Sequence, residues 1–157
     1  MRRWIAMVGM MMLVSVAWAG GPSQEGMMAE MANCSICKSM VPHLDELTPV
    51  CSNEIITMSD GMAMYHTVSD ESKLELFRSV MNEMDAAGMA TASYTDEQIK
   101  SELCGFCQGI HGLLSAGAVM SSGMSPNGKL MVITSQDPEV QAKIASFTKN
   151  AQEMMGG

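Results

Sequence analysis

The chain has 157 residues and carries nine Lys and Arg against 17 Asp and Glu, a formal net charge of −8. An acidic chain with few, scattered cations argues against nucleic acid, which is bound through clustered cations, and against an anionic membrane surface. Five cysteines and 20 methionines, beside only two Trp, two Tyr and three Phe, make sulfur the prominent side-chain chemistry.

Residues 1–19 read as a signal peptide. Arg2 and Arg3 form a basic start, Ile5 to Val16 an apolar core, and Ala17-Trp18-Ala19 a small-x-small cleavage site before Gly20. The apolar run is too short for a membrane span. The expectation is therefore an exported soluble protein, periplasmic or secreted, with no membrane insertion after cleavage. Thiols in such a compartment are oxidised by default, and an odd number leaves at least one free, metal-bound or paired with another molecule.

Residues 20–26 (GGPSQEG) read as a flexible linker. From Met27 to Leu47, a helical stripe runs through Ala29, Ala32, Ile36, Met40, Leu44 and Leu47, with Pro42 as a kink or an end. Glu54 to Val68 reads as a β-hairpin turning at Asp60-Gly61 in a type I′ turn. Ser69 then caps a helix whose inner stripe is Leu74, Phe77, Met81 and Met84, ending at Gly88.

A second series follows the same plan. Thr95 to Gln98 is a capping box, and Ile99, Leu103, Phe106, Ile110, Leu113 and Leu114 form the stripe of a helix that Gly117 stops. Strands are expected around Val119–Met120 and Lys129–Thr134, joined through Ser-Pro-Asn-Gly. The last helix starts with Asp137 as cap and Pro138 at its first position.

Gly61 and Gly128, Met64 and Met131, Thr67 and Thr134, and Asp70 and Asp137 share one offset, 67 residues. The expectation is an internal repeat, 27–88 and 94–155, each copy a helix–hairpin–helix. One hairpin is a marginal sheet. The two copies are therefore expected to share one antiparallel sheet in a single pseudo-two-fold symmetric α+β domain.

Each copy holds one Cys-x-x-Cys pair, Cys34/Cys37 and Cys104/Cys107, while Cys51 stands outside the pattern. On a continuous helix Cys104, Cys107 and His111 share one flank. Two such pairs, brought together by the fold, suit a soft metal ion, Cu(I) or Zn²⁺, with His111 as auxiliary ligand. This is the leading reading, and the partner it implies is a metal ion or a protein.

The competing readings are a disulfide-stapled interaction or scaffold protein and a thiol–disulfide redox protein. The redox reading is weakened because both pairs are expected inside helices, away from the N-termini that lower thiol pKa. A c-type haem is disfavoured because Lys38 and Gln108, not His, follow the pairs. No Gly-x-Ser-x-Gly, His-Glu-x-x-His or phosphate-loop motif is present, so the reading leans towards a non-enzyme without deciding it. His66 reads as structural, and the methionines chiefly as core filler.

Overall fold

The structure is a computed structural model and describes residues 24–155. The expected signal peptide and residues 20–23 of the expected linker lie outside them. The chain runs α1 (Gln24–Asn33), α2 (Leu44–Leu47), β1 (Cys51–Thr57), β2 (Gly61–Val68), α3 (Leu74–Ala90), α4 (Asp96–Glu102), α5 (Gly105–Ser115), β3 (Val119–Ser125), β4 (Gly128–Thr134) and α6 (Pro138–Met155). Gln24 to Gly26 are thus helical, although they fall in the segment expected as linker.

The four strands form one antiparallel sheet in the order β1-β2-β4-β3, as expected of two hairpins that share a sheet. The central pair is β2 with β4, in a register that sets Met64 opposite Met131, Gly61 opposite Thr134 and Thr67 opposite Gly128. Side chains alternate across a strand. Met62, Met64, Met131 and Ile133 therefore share one face, and they pack against Leu113, Val140, Ile144 and Phe147 of α5 and α6. Val68, on the same face, packs with Leu47 and with Phe77, Val80 and Met81 of α3. Ile56 and Leu130, of opposite parity, remain exposed.

The first hairpin turn differs from expectation, and the second lies in the expected Ser-Pro-Asn-Gly segment. Met58 donates its N–H to the Gly61 carbonyl (2.9 Å), which makes Ser59 and Asp60 the central turn residues. In the second hairpin Ser125 pairs with Gly128, leaving Pro126 and Asn127 at the turn. A type I′ turn needs positive φ at both central residues, yet among the described residues only Gly117 has positive φ.

Gly61 and Gly128 are needed for a different reason. A Cβ on Gly61 would lie 2.0 Å from the Ile133 carbonyl oxygen, and one on Gly128 would lie 2.0 Å from that of His66. They are the points of closest approach between β2 and β4, not turn residues. The ends of this pair are tied by two further bonds, Val68 N–H to the Asn127 carbonyl (2.8 Å) and Ser135 N–H to the Asp60 carbonyl (3.0 Å).

Helix ends explain where the remaining elements start and stop. Thr95 and Gln98 form the expected capping box. Asp137 caps α6 by accepting from Glu139 N–H (2.8 Å). Gly117 (φ 102°) closes α5 in a Schellman arrangement, with Gly117 N–H bonded to the Leu114 carbonyl and Ala118 N–H to that of Leu113. Before α3 the cap is Asp70, not Ser69: its carboxylate accepts from Ser72 N–H across a 3₁₀ turn, while the Ser69 hydroxyl donates to the Val50 carbonyl. α3 also runs through Gly88 to Ala90, where Thr91 donates its hydroxyl to the Gly88 carbonyl. No helix of the described residues is long and apolar enough to cross a membrane.

Candidate metal centre

Neither CxxC pair lies inside a continuous helix, which corrects the sequence reading. The first stripe breaks at Asn33, whose side-chain amide donates to the Ala29 carbonyl (3.0 Å) and so competes with the helical backbone. Cys34 follows in irregular backbone, Ser35 and Ile36 form a turn, and Cys37 opens a 3₁₀ turn, Cys37–Ser39. A second 3₁₀ turn, Val41–His43, holds Pro42 near its start, where a missing N–H is harmless.

The second stripe breaks at Leu103 and Cys104, both in extended conformation. Cys104 is therefore the N-cap of α5 and Cys107 lies in its first turn. Gln108 secures this break by donating its side-chain amide to the Leu103 carbonyl (2.7 Å). The apolar spacing from Ile99 to Leu114 persists across the break, which is why periodicity alone did not reveal it. The Cys-Gly step before Phe106 was the only local signal.

Two bonds clamp the segments together. Ser35 N–H donates to the Glu102 carbonyl (2.8 Å), and the Ser35 hydroxyl donates to the Glu102 carboxylate (3.2 Å). The result is that Cys34, Cys37, Cys104 and Cys107 converge, with all four sulfurs within 4.8 Å of one another. Cys37 Sγ lies 3.5 Å from Cys107 Sγ and 3.9 Å from Cys104 Sγ. All five cysteines are free thiols. The four are buried, Cys34 most deeply at 1 % exposure, and Met31, Ile36, Met84, Tyr94 and Phe106 pack around them. Met31 and Met84, each from a Met-x-x-Met pair, thus border the centre, a placement sequence reasoning missed.

The thiols polarise one another. Cys104 is held well below the ordinary thiol value, first by the hydrogen bond from the Cys107 side chain, then by that from Cys37 and by the Cys107 backbone N–H, against the effect of burial. Cys37 and Cys107 are pushed above it, each first by its bond to Cys104. The arrangement therefore favours negative charge on Cys104, the N-cap of α5, over Cys37 and Cys107. A cluster of this kind can hold a metal ion through sulfur.

His111 is not among the four converging groups. Its Nδ1 lies 3.3 Å from the Ser115 hydroxyl, and it stands one turn beyond Cys107 along α5. Cys51 begins β1 and packs partly buried against the cluster around Phe77, with its thiol pushed up by burial.

A cleft of about 470 Å³ opens against the centre, lined by Asn33, Lys100, Glu102, Cys104, Gly105 and Gln108 among others, and Cys104 is the only one of the four cysteines that lines it. Comparison of the chain with protein-family models, with curated proteins and with solved structures finds no match.

Proposed function

We propose that the protein binds one soft or borderline metal ion, Zn²⁺ or Cu(I), through the thiolates of Cys34, Cys37, Cys104 and Cys107. The observation that carries this reading is the convergence of four unpaired sulfurs from two distant segments. A tetrahedral site with Zn–S near 2.3 Å has sulfurs about 3.8 Å apart. Two of the six separations, 3.5 and 3.9 Å, bracket that value, and all six lie within 4.8 Å. A four-sulfur set of this shape fits Zn²⁺ better than the two-coordinate preference of Cu(I).

Binding requires Cys37 and Cys107 to release protons that they hold above the usual thiol value. Affinity therefore falls as pH falls, and metal uptake acidifies an unbuffered solution. Metal titration at two pH values in the neutral range tests this. Equal affinities at both contradict the reading.

A second reading, dithiol–disulfide exchange, draws support from Cys104 at the N-cap of α5. A helix N-terminus favours thiolate, and a CxxC there is the arrangement of redox pairs. In that reaction Cys104 and Cys107 lose two protons and two electrons to a disulfide-containing partner. Metal takes precedence because redox chemistry needs two sulfurs, and four are gathered here. A disulfide between Cys104 and Cys107 in protein purified without reductant or metal favours the second reading.

Two further elements belong to the proposal. We read the halves as a duplicated unit related by a pseudo-two-fold axis between β2 and β4. Support comes from Met64 facing Met131 and from the matched contacts of Gly61 with Ile133 and of Gly128 with His66. We also read residues 1–19 as a cleaved export signal, supported by the Arg2-Arg3 start and the Ala17-Trp18-Ala19 site. N-terminal sequencing of the exported protein should begin at Gly20.

A further inference from the structure

Resting on the metal reading above, we propose that the centre is an exchange site, loaded and emptied through the cleft beside Cys104 by small-molecule thiol ligands. A structural site walls in all four of its sulfurs, whereas a site that hands on its ion must let an entering ligand reach at least one of them. Here the walls are unequal. Met31, Ile36, Met84, Tyr94 and Phe106 enclose the cluster with apolar side chains. Cys34 lies at the back, 1 % exposed. Cys104 alone of the four borders the cleft.

The cleft's volume, about 470 Å³, suffices for a small thiol ligand. Its lining is polar around that sulfur, with Asn33, Lys100, Glu102 and Gln108, so an entering ligand stays solvated up to the metal. Cys104 also sits on extended backbone between α4 and α5. It can therefore move off the ion without unwinding a helical turn, unlike Cys107 within α5.

The step is a ligand substitution. The sulfur of the entering thiol bonds to the ion, the bond from the ion to Cys104 Sγ breaks, Cys104 leaves as a thiolate at the N-terminus of α5, and the proton of the entering thiol passes to solvent. No electrons change hands. A dithiol repeats the step with its second sulfur and withdraws the ion.

Gly105 gives a test that spares the ligands. It lines the cleft, and a Cβ there meets nothing within 4 Å; the same openness holds for Gly112, further along α5 and outside the cleft lining. The full chain is loaded with Co²⁺, whose thiolate charge-transfer absorption reports coordination, and mixed with 2,3-dimercaptopropanesulfonate in a stopped-flow instrument. Gly105→Trp should bind the same amount of Co²⁺ as wild type and release it about tenfold more slowly. Gly105→Ala and Gly112→Trp should release it at the wild-type rate.

Release from Gly105→Trp at the wild-type rate, or equal slowing by Gly112→Trp, overturns the proposal and leaves the metal reading intact. Wild-type protein that takes up no Co²⁺ overturns both. Should Gly105→Trp lose the ion, Gly105→Leu carries the same comparison.

Discussion

The two CxxC segments bring the same spacing of sulfurs to one centre from unlike backbones. Cys34 lies in irregular backbone after α1 and Cys37 opens a 3₁₀ turn, whereas Cys104 caps α5 and Cys107 lies in its first turn. The difference assigns different work to each. The Cys107 and Cys37 side chains favour negative charge on Cys104, as does its place at a helix N-terminus, and Cys104 lines the cleft. The first segment supplies the most deeply buried sulfur, Cys34, and is held against the second by the Ser35–Glu102 clamp. Motif spacing therefore sets how far apart two sulfurs are, and backbone context sets what each can do.

The sharpest way to break this comparison is to remove one segment's sulfurs at a time. If the site is shared, Cys34→Ser/Cys37→Ser and Cys104→Ser/Cys107→Ser should each abolish tight binding, weakening it on the order of 10³-fold or more. Metal analysis after gel filtration should find no retained ion in either variant. Half-occupancy in each would mean two independent sites, contrary to the convergence of the four thiols.

The next effect tests what brings the segments together. Gly61→Ala and Gly128→Ala each force a methyl group onto a backbone carbonyl of the neighbouring strand. Each should destabilise the fold by about 3 kcal/mol or more, read as a fall in the denaturant midpoint. Gly105→Ala, with open space at its Cβ, should cost little. Equal effects at all three positions would contradict the assigned close approach of β2 and β4.

A smaller effect separates the sheet from the thiol centre by pH. His66 Nδ1 shares a hydrogen bond with Asn53 Oδ1 (2.5 Å), and Lys129, itself paired with Asp85, lies nearby on the same face. Burial, and then the Lys129 charge, hold His66 below its ordinary value. The unfolded chain takes up a proton on this histidine at a higher pH than the folded chain does. The contribution of His66 to stability is therefore full above the unfolded value, about 6.5, and is lost as pH falls through the folded one. Denaturation at pH 7.5 and 5.5 should show that decline in wild type and a shallower one in His66→Gln. Parallel curves would remove His66 from the account.

The smallest effects are expected at the two sulfur or nitrogen candidates that lie off the centre. Cys51→Ser and His111→Ala should leave metal stoichiometry unchanged and affinity within about threefold of wild type. Loss of the ion in His111→Ala would bring that histidine back as a ligand.

Much of the fold was legible because local signals agreed with it. The capping box at Thr95, the Asp137-Pro138 start and the Gly117 stop each satisfy helix-end groups within a few residues, so sequence alone located them. The common offset of 67 residues pointed to the pairing of two hairpins in one sheet, although Gly61 was misplaced at the centre of a turn and the close approach at Gly61 and Gly128 was missed. Their constraint comes from a strand distant in sequence, and no local pattern distinguishes that from a turn.

The four cysteines were legible as a set, but their backbone was not. The breaks at Asn33 and Leu103 are fixed by the Asn33 and Gln108 side chains and by the cross-segment clamp. These bonds leave the apolar periodicity untouched. That concealed the N-cap position of Cys104, and with it the main physical support for redox chemistry.

The central claim is tested most directly by metal content and thiol titration on one anaerobically purified sample of the full chain. The account predicts about one Zn²⁺ or Cu(I) per chain, with the four clustered thiols protected from a thiol reagent until a chelator removes the ion. A metal-free protein whose four thiols react freely, or whose CxxC pairs are already closed as disulfides, would contradict it.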